Sequence, residues 1–390
     1  MPSQENSSML FHRETFLFLR YIGVWKPQNL PKWKSILYNI YSTVTVTLIM
    51  TFCLSQFSGI ILSKSANVKA LMQNMFLALT TMCICLKIIN LFCCRSKLIN
   101  ILEMLTTHPF ECQSSEEYSI CYKFSRRVRC LSILSIAYIV IAPLYFAIEE
   151  VLGNLAKRTL PFSGWFPYDY SSPSVWWCIS LYLAISLYLE AVFNIVYNAL
   201  FFELMMRIVA QVKILKHRLQ VMMTDLGNAM SENSAEKHLL LERHLFRDCV
   251  EYHVVILRMA KDINSIFATI MMIQYLITSL VLSSTVYLMS ETMLASRDFL
   301  KLTVYFLSMF QQIFMLCYAG HCTYLEFDSI GDVLYTCNWM TLSENSKQSM
   351  KLLLVNAKKP FVFDCGGLLK LDMEAFKNTL MFAYSIYNIF

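Results

Sequence analysis

Apolar residues in this chain run unbroken for about the thickness of a membrane instead of alternating with polar ones. Seven such runs stand out: Ile36 to Ile61, Ala70 to Leu86, Cys130 to Ile148, one starting near Ser171, Ile263 to Ser290, Leu302 to Leu325, and Leu371 to Phe390. At ~1.5 Å per helical residue, about 20 residues cross the ~30 Å hydrocarbon core of a bilayer, so each run predicts a spanning helix. The third contains Pro143, which kinks a spanning helix and opens room beside it when neighbours rescue the freed carbonyl. The fourth follows Trp165, Phe166, Tyr168, Tyr170, Trp176 and Trp177, an aromatic cluster suited to a membrane interface.

The last run is two-faced. Asn378, Phe382, Ser385 and Ile389 recur at helical spacing, on a stripe unlike the face of Met373, Phe376, Leu380 and Tyr387. One side suits lipid or protein, and the other tolerates water. A different two-faced pattern fills the 203–262 segment. Around a polar break at Asp225 to Glu236, Leu239, Phe246, Val250, His253 and Leu257 fall on one stripe, with Glu242, Arg243, Arg247, Asp248 and Glu251 largely off it. The fourth, fifth and sixth helices are therefore expected to project below the membrane and pack together there. Thr341-Leu342-Ser343-Glu344 suits a capping box opening a short helix that Pro360 closes, so the seventh helix comes in two pieces. The expected fold is an all-α membrane protein of seven transmembrane helices, with helices four to seven extended into the cytosol. Its parts are a cytosolic segment (1–34), a six-span bundle (35–325), a cytosolic helix and connection (326–367) and a terminal helix (368–390).

Composition agrees with the pattern. A chain of 390 residues that is 56% hydrophobic and 15% charged, with a mean hydropathy of +0.48, has no polar coat for its apolar surface. The net charge of +6 does not point to nucleic acid, because no basic stretch is interleaved with stacking aromatics outside the apolar runs. Those bases orient the chain instead. With the amino end in the cytosol, the inside segments hold 24 Lys and Arg and the outside loops hold 6, which places the carboxyl end outside. No signal peptide precedes the first span, since His12, Arg13, Glu14 and Arg20 break the apolar pieces. The glycosylation triplet Asn6-Ser7-Ser8 then goes unused.

Chemistry-bearing motifs are scarce, and no enzyme or cofactor is expected. Gly-rich phosphate loops, HExxH and GxSxG are absent, and neither His321-Cys322 nor Cys83-Ile84-Cys85 has the paired spacing of a metal site. None of the 14 Cys falls in the predicted outside loops, so they read as reduced packing residues. Glu190 lies ~28 Å along the fourth helix, near the inner boundary. At that depth it reads as a packing residue, as does His321.

A seven-span chain raises the question of a G-protein-coupled receptor, but Arg126-Arg127 precedes the third span and the last helix reads Ala383-Tyr384-Ser385-Ile386-Tyr387 instead of NPxxY. The carboxyl third, with Tyr335, Trp339, Lys351, Lys359-Pro360, Phe376 and Ala383-Tyr384-Ser385, resembles the insect odorant receptors. Gly23-Val24-Trp25 followed by Pro27 resembles their pre-membrane motif, with one extra residue before the proline. The TYxxxxxQF ending of the related gustatory receptors is absent, and so is the extended cytosolic loop of the shared co-receptor. The chain thus resembles a ligand-tuning subunit. The resemblance implies a ligand-gated, poorly selective cation channel in the plasma membrane of sensory neurons, a heterotetramer with the odorant co-receptor whose seventh helices line the pore. It also implies a pocket for a small volatile organic ligand in the outer half of the bundle, where the sequence offers Met72, Met75, Phe76, Tyr138, Phe146, Tyr182, Ile185, Tyr305 and Met309. The pore stripe is Asn378, Phe382, Ser385 and Ile389, with Ile386 facing the pore if the helix is turned by one position.

Overall fold

A computed structural model of the chain describes residues 13–27, 30–62, 68–155, 159–160, 164–167, 172–229, 235–294, 296–337 and 339–389. All seven apolar runs are helical: α2 (Lys32–Leu62), α3 (Val68–Cys93), α5 (Ser115–Leu155), α6 (Pro173–Ala229), α7 (Ala235–Ser290), α8 (Arg297–Thr336) and α10 (Met373–Ile389). Among the described residues three shorter helices join them, α1 (Arg13–Tyr21), α4 (Arg95–Met104) and α9 (Glu344–Ala357), together with a two-stranded antiparallel ribbon of β1 (Asp364–Cys365) and β2 (Leu369–Lys370). Among the described residues, α2, α3, α6, α7 and α8 are each long and apolar enough to cross a bilayer. The third and seventh runs lie in α5 and in α10, which has 17 residues.

The long helices outrun a membrane. At 57 and 56 residues, α6 and α7 are each about 85 Å long. The sequence anticipates this for the fourth to sixth spans, but α5 joins them: its 41 residues begin at Ser115, well before the apolar run at Cys130. Lys123, Arg126, Arg127 and Arg129 hide that part of the helix from a hydropathy reading. The chain folds around α6. From Phe193 to Val212 nearly every residue is buried, on all sides of the helix, as only a helix enclosed by others can be. By contrast, α2 and α5 turn Leu54, Ile61 and Ile141 outward at 66%, 79% and 67% exposure, a surface fit for lipid.

Beyond the apolar zone, charged pairs take over from grease. Arg218 on α6 forks onto Glu117 of α5 with two contacts of 2.9 Å and also donates to the Pro109 and Glu111 carbonyls. Lys216 reaches Glu326 of α8 at 2.6 Å. The short helix α9 is capped by Ser343, not by Thr341, which lies in a 3-10 turn over Trp339–Thr341. The cap shifts by two residues because Glu242 of α7 accepts both the Ser343 amide and its hydroxyl, at 3.0 and 2.8 Å.

The start of α10 is pinned from several directions. Asn264 of α7 exchanges two hydrogen bonds with the backbone of Asp364. Gly366 and Gly367 carry the ribbon's turn at φ of 68° and 77°, where a side chain would be strained. Leu371 then crosses α8 so closely that a Cβ on Gly320 would sit 2.0 Å from the Leu371 carbonyl oxygen. Asp372 caps α10 by accepting the Ala375 N–H at 2.8 Å. Above the cap, Phe376 packs edge-on against Phe310 and Phe314, and the Tyr275 hydroxyl bridges the Ala375 carbonyl and Thr379.

Candidate functional site

Toward one end of the bundle, α3, α5, α6, α7 and α8 splay and enclose a cavity of about 460 Å³. Pro143 of α5 lines it, at the place where its missing N–H leaves a carbonyl without its helical partner. The mouth is charged. Lys301 at the start of α8 lies 2.7 Å from Glu150 and 3.1 Å from Glu149, closing a bridge to the end of α5. Burial alone would weaken the Lys301 cation, but the two carboxylates outweigh it and raise its pKa.

Below the mouth the wall is apolar and aromatic, with Phe76, Phe146, Leu302, Tyr305 and Met309. From Asp298 at the mouth to Gln312 on the floor, α8 descends about 21 Å. The floor is polar and buried. Lys87, fully buried, donates to the side-chain oxygens of Asn194 and Asn198 and sits 5.3 Å over the Tyr197 ring. Asn194 and Gln274 in turn donate to Gln312 Oε1 at 3.2 and 3.4 Å. Buried polar groups are tolerated when bonded in this way. Glu190 is bonded at neither oxygen: it is 1% exposed, lines the floor, and its carboxylate has no hydrogen-bond partner among the described residues.

Of the ligand residues expected from sequence, the structure gathers Phe76, Phe146, Tyr305 and Met309 around this one cavity. Three others lie elsewhere. Met75 is 38% exposed and Ile185 52% exposed on the outer surface, because each is turned by its helical register away from the cavity-facing stripe of its own helix. Tyr182 packs toward α2, its hydroxyl 2.8 Å from that of Thr51 and its ring 6.0 Å from Phe166. The side chains of Met72 and Tyr138 are outside the described residues, as are those of Ile386 and Ile389. On α10, Asn378, Phe382 and Ser385 are exposed on the side facing away from the bundle, while Phe376, Thr379 and Ala383 are buried against it.

The floor is what the apolar pattern does not reveal, since Glu190 reads there as a packing residue near the inner boundary. A signal for it does exist. Tyr182, Ser186, Glu190, Asn194 and Asn198 recur every four residues, a polar stripe down a helix that is otherwise greasy.

Comparison with known proteins agrees with this architecture. Residues 67–384 match the family described as 7tm Odorant receptor. The chain is 27% identical over 308 residues to odorant receptor 33a of Drosophila melanogaster, covering 76% of this chain and 77% of that protein. Against odorant receptor Or1 of Anopheles gambiae, identity is 21% over 387 residues, covering 95% and 92%. Among solved structures, the olfactory receptor OR5 of Machilis hrabei in complex with eugenol superposes with a TM-score of 0.82 over 97% of this chain and 96% of that one, at 16% identity.

Proposed function

The chain belongs to the 7tm odorant receptor family, and from that premise we propose that it is the ligand-tuning subunit of a ligand-gated, non-selective cation channel. A small volatile organic ligand binds in the cavity between α3, α5, α6, α7 and α8, and α10 lines the pore. The observation that carries this reading is the cavity itself: open at a charged mouth, walled by aromatic and apolar side chains, floored by a few fixed polar groups, and of a volume suited to a compact organic molecule. A protein of the same fold has been solved with the aromatic odorant eugenol. Phe76, Phe146, Tyr305 and Met309 form the wall.

The pore reading rests on α10. Its inner half is fixed to α7 and α8 through Tyr275, Phe310 and Phe314, yet Asn378, Phe382 and Ser385 face away from the subunit that holds them. Four such faces around an axis make a channel of mixed polarity. Ile389, or Ile386 if the helix is turned, forms an apolar constriction near its outer mouth that stops ions by expelling water. The partner is the shared odorant co-receptor, in a heterotetramer at the plasma membrane of sensory neurons. The excess of Lys and Arg on one side, 24 against 6, supports a cytosolic amino end and an exterior carboxyl end.

Recording from cells that express the chain with the co-receptor tests the reading. An odorant panel is expected to evoke a cation current that persists when G-protein signalling is blocked and stops with a pore blocker. A current with the opposite sensitivities would overturn the channel assignment, and amino-terminal tag staining on unpermeabilised cells would overturn the orientation.

A further inference from the structure

We propose that Glu190 anchors an amine: the cavity floor takes the nitrogen of a compact organic amine, whose apolar body lies between Phe76, Phe146, Tyr305 and Met309. The inference rests on the reading of this cavity as the ligand site.

A carboxyl group withdrawn from water without a partner is costly, and an apolar odorant does nothing to relieve it. The protein does not relieve it either. Lys87, buried beneath the floor, gives hydrogen bonds to Asn194 and Asn198, while both Glu190 oxygens are unbonded among the described residues. What the Glu190 carboxyl lacks is therefore an N–H or O–H donor, and a ligand in the cavity can supply it.

Basicity separates amines from alcohols. A carboxyl and an amine share one proton, and they pair either as neutral acid with neutral amine or as carboxylate with ammonium. In both forms the pair carries no net charge into the buried floor. An alcohol is not basic enough to take the proton: it pairs only with the neutral acid, through neutral hydrogen bonds, and lacks the charge-assisted form, which is roughly twice as strong. A primary amine also has N–H groups to spare. Thr81, which lines the same floor and donates its own proton to the Ala78 carbonyl, keeps lone pairs for one of them. At the mouth, Glu149, Glu150 and Asp298 outnumber Lys301, a balance that draws cations inward.

The probes are 2-phenylethylamine and 2-phenylethanol, which share a skeleton and differ at the donor, applied to the full chain with its co-receptor and to the purified full chain by thermal unfolding. The amine is expected to be at least about tenfold more potent than the alcohol, in keeping with a charge-assisted hydrogen bond. Glu190→Gln, which keeps the shape, is expected to weaken the amine at least about tenfold while moving the alcohol less than about threefold. Equal potency of the two probes in the wild type overturns the proposal whether or not the variant assembles, and so does an equal shift of both in Glu190→Gln. Odorant currents without any preference for the amine remove the anchor and leave the channel reading standing. Stabilisation of the purified chain by the amine, with no current from any odorant, keeps the anchor and removes the channel reading. Neither stabilisation nor current removes both.

Discussion

Gly320→Ala adds one methyl group to α8, and its effect follows from a single distance. A Cβ at position 320 would lie 2.0 Å from the Leu371 carbonyl oxygen and 3.0 Å from the Leu371 carbonyl carbon. Ordinary contact between such atoms needs about 3.3 Å, so the backbone at Leu371 must retreat by more than about 1 Å, and no flexible side chain can absorb the move. Leu371 precedes the Asp372 cap of α10, so the displacement passes into the helix assigned to the pore. In an ordinary helix interior, Gly→Ala gains roughly 0.5–1 kcal/mol. Overpacking of a filled site costs about 1–3 kcal/mol, so here the sign reverses. Gly331 on the same helix is the internal control, because nothing lies within 4 Å of a Cβ there.

In thermal unfolding of the purified chain, Gly320→Ala is therefore expected to lower the midpoint while Gly331→Ala holds or raises it. In recordings with the co-receptor, only Gly320→Ala is expected to change basal or maximal current. Equal midpoints for the two variants would refute the reasoning, since they would mean that Leu371 gives way freely.

Phe76→Ala and Tyr305→Ala are expected to change the ligand spectrum at normal surface expression. Truncating a packed aromatic costs about 3–5 kcal/mol, but these two already border empty space and lose less; unchanged dose–response curves for every active ligand would assign both to the scaffold. Ile389→Ser is expected to raise basal current or alter ion permeation without reordering ligands, whereas Tyr387→Ser is not, and cysteine modification that reaches 387 but not 389 would place the pore on the other face. Arg218→Ala strands the buried Glu117 carboxylate and is expected to destabilise the chain by about 3–5 kcal/mol, with Glu117→Gln costing less, both read in thermal unfolding. Burial alone would raise the Glu117 pKa, but the hydrogen bonds from Arg218 and the Gln113 N–H outweigh it and hold it below the ordinary carboxylate value. That contribution is present above the unfolded-state pKa of about 4.3 and is lost as pH falls through the lower folded value. Glu117→Gln should flatten the acid limb of midpoint against pH, and an unchanged limb would count against the pair.

The spans were legible because a bilayer imposes one length and one polarity on whatever crosses it. Ile36 to Ile61 or Leu302 to Leu325 need no tertiary knowledge to be recognised as helices. Outside that constraint the reading weakened for identifiable reasons. The first turns of α5 went unseen because Lys123, Arg126, Arg127 and Arg129 look like a connection, and what makes them helical is packing on α6, to which Arg218 ties Glu117. The ribbon of Asp364 to Lys370 went unseen because two residues per strand leave no period to detect. Its shape comes from Asn264, a hundred residues away in sequence, and from two glycines in left-handed turns. The cap of α9 slipped by two residues because the competition between Thr341 and Ser343 is decided by Glu242, a tertiary partner that the local motif does not contain.

The cavity divides in the same way. A side chain's depth along its helix follows from counting, so Phe76, Phe146, Tyr305 and Met309 could be placed at the right level. Which way a side chain points depends on the rotation of the helix, and one residue's step turns it by about 100°. Met75 beside Phe76 shows the consequence, with one outside the bundle and the other on the cavity wall. Polar residues settle rotation better than apolar ones, because lipid accepts any apolar face but an acid or an amide must find the interior. The stripe of Ser186, Glu190, Asn194 and Asn198 therefore fixes the inward face of α6 more firmly than its many leucines and phenylalanines do. Three of its members line the cavity floor or bond Lys87 beneath it. In a helix this hydrophobic, the few residues that resist the membrane mark the face turned to the cavity and to the buried Lys87 beneath it.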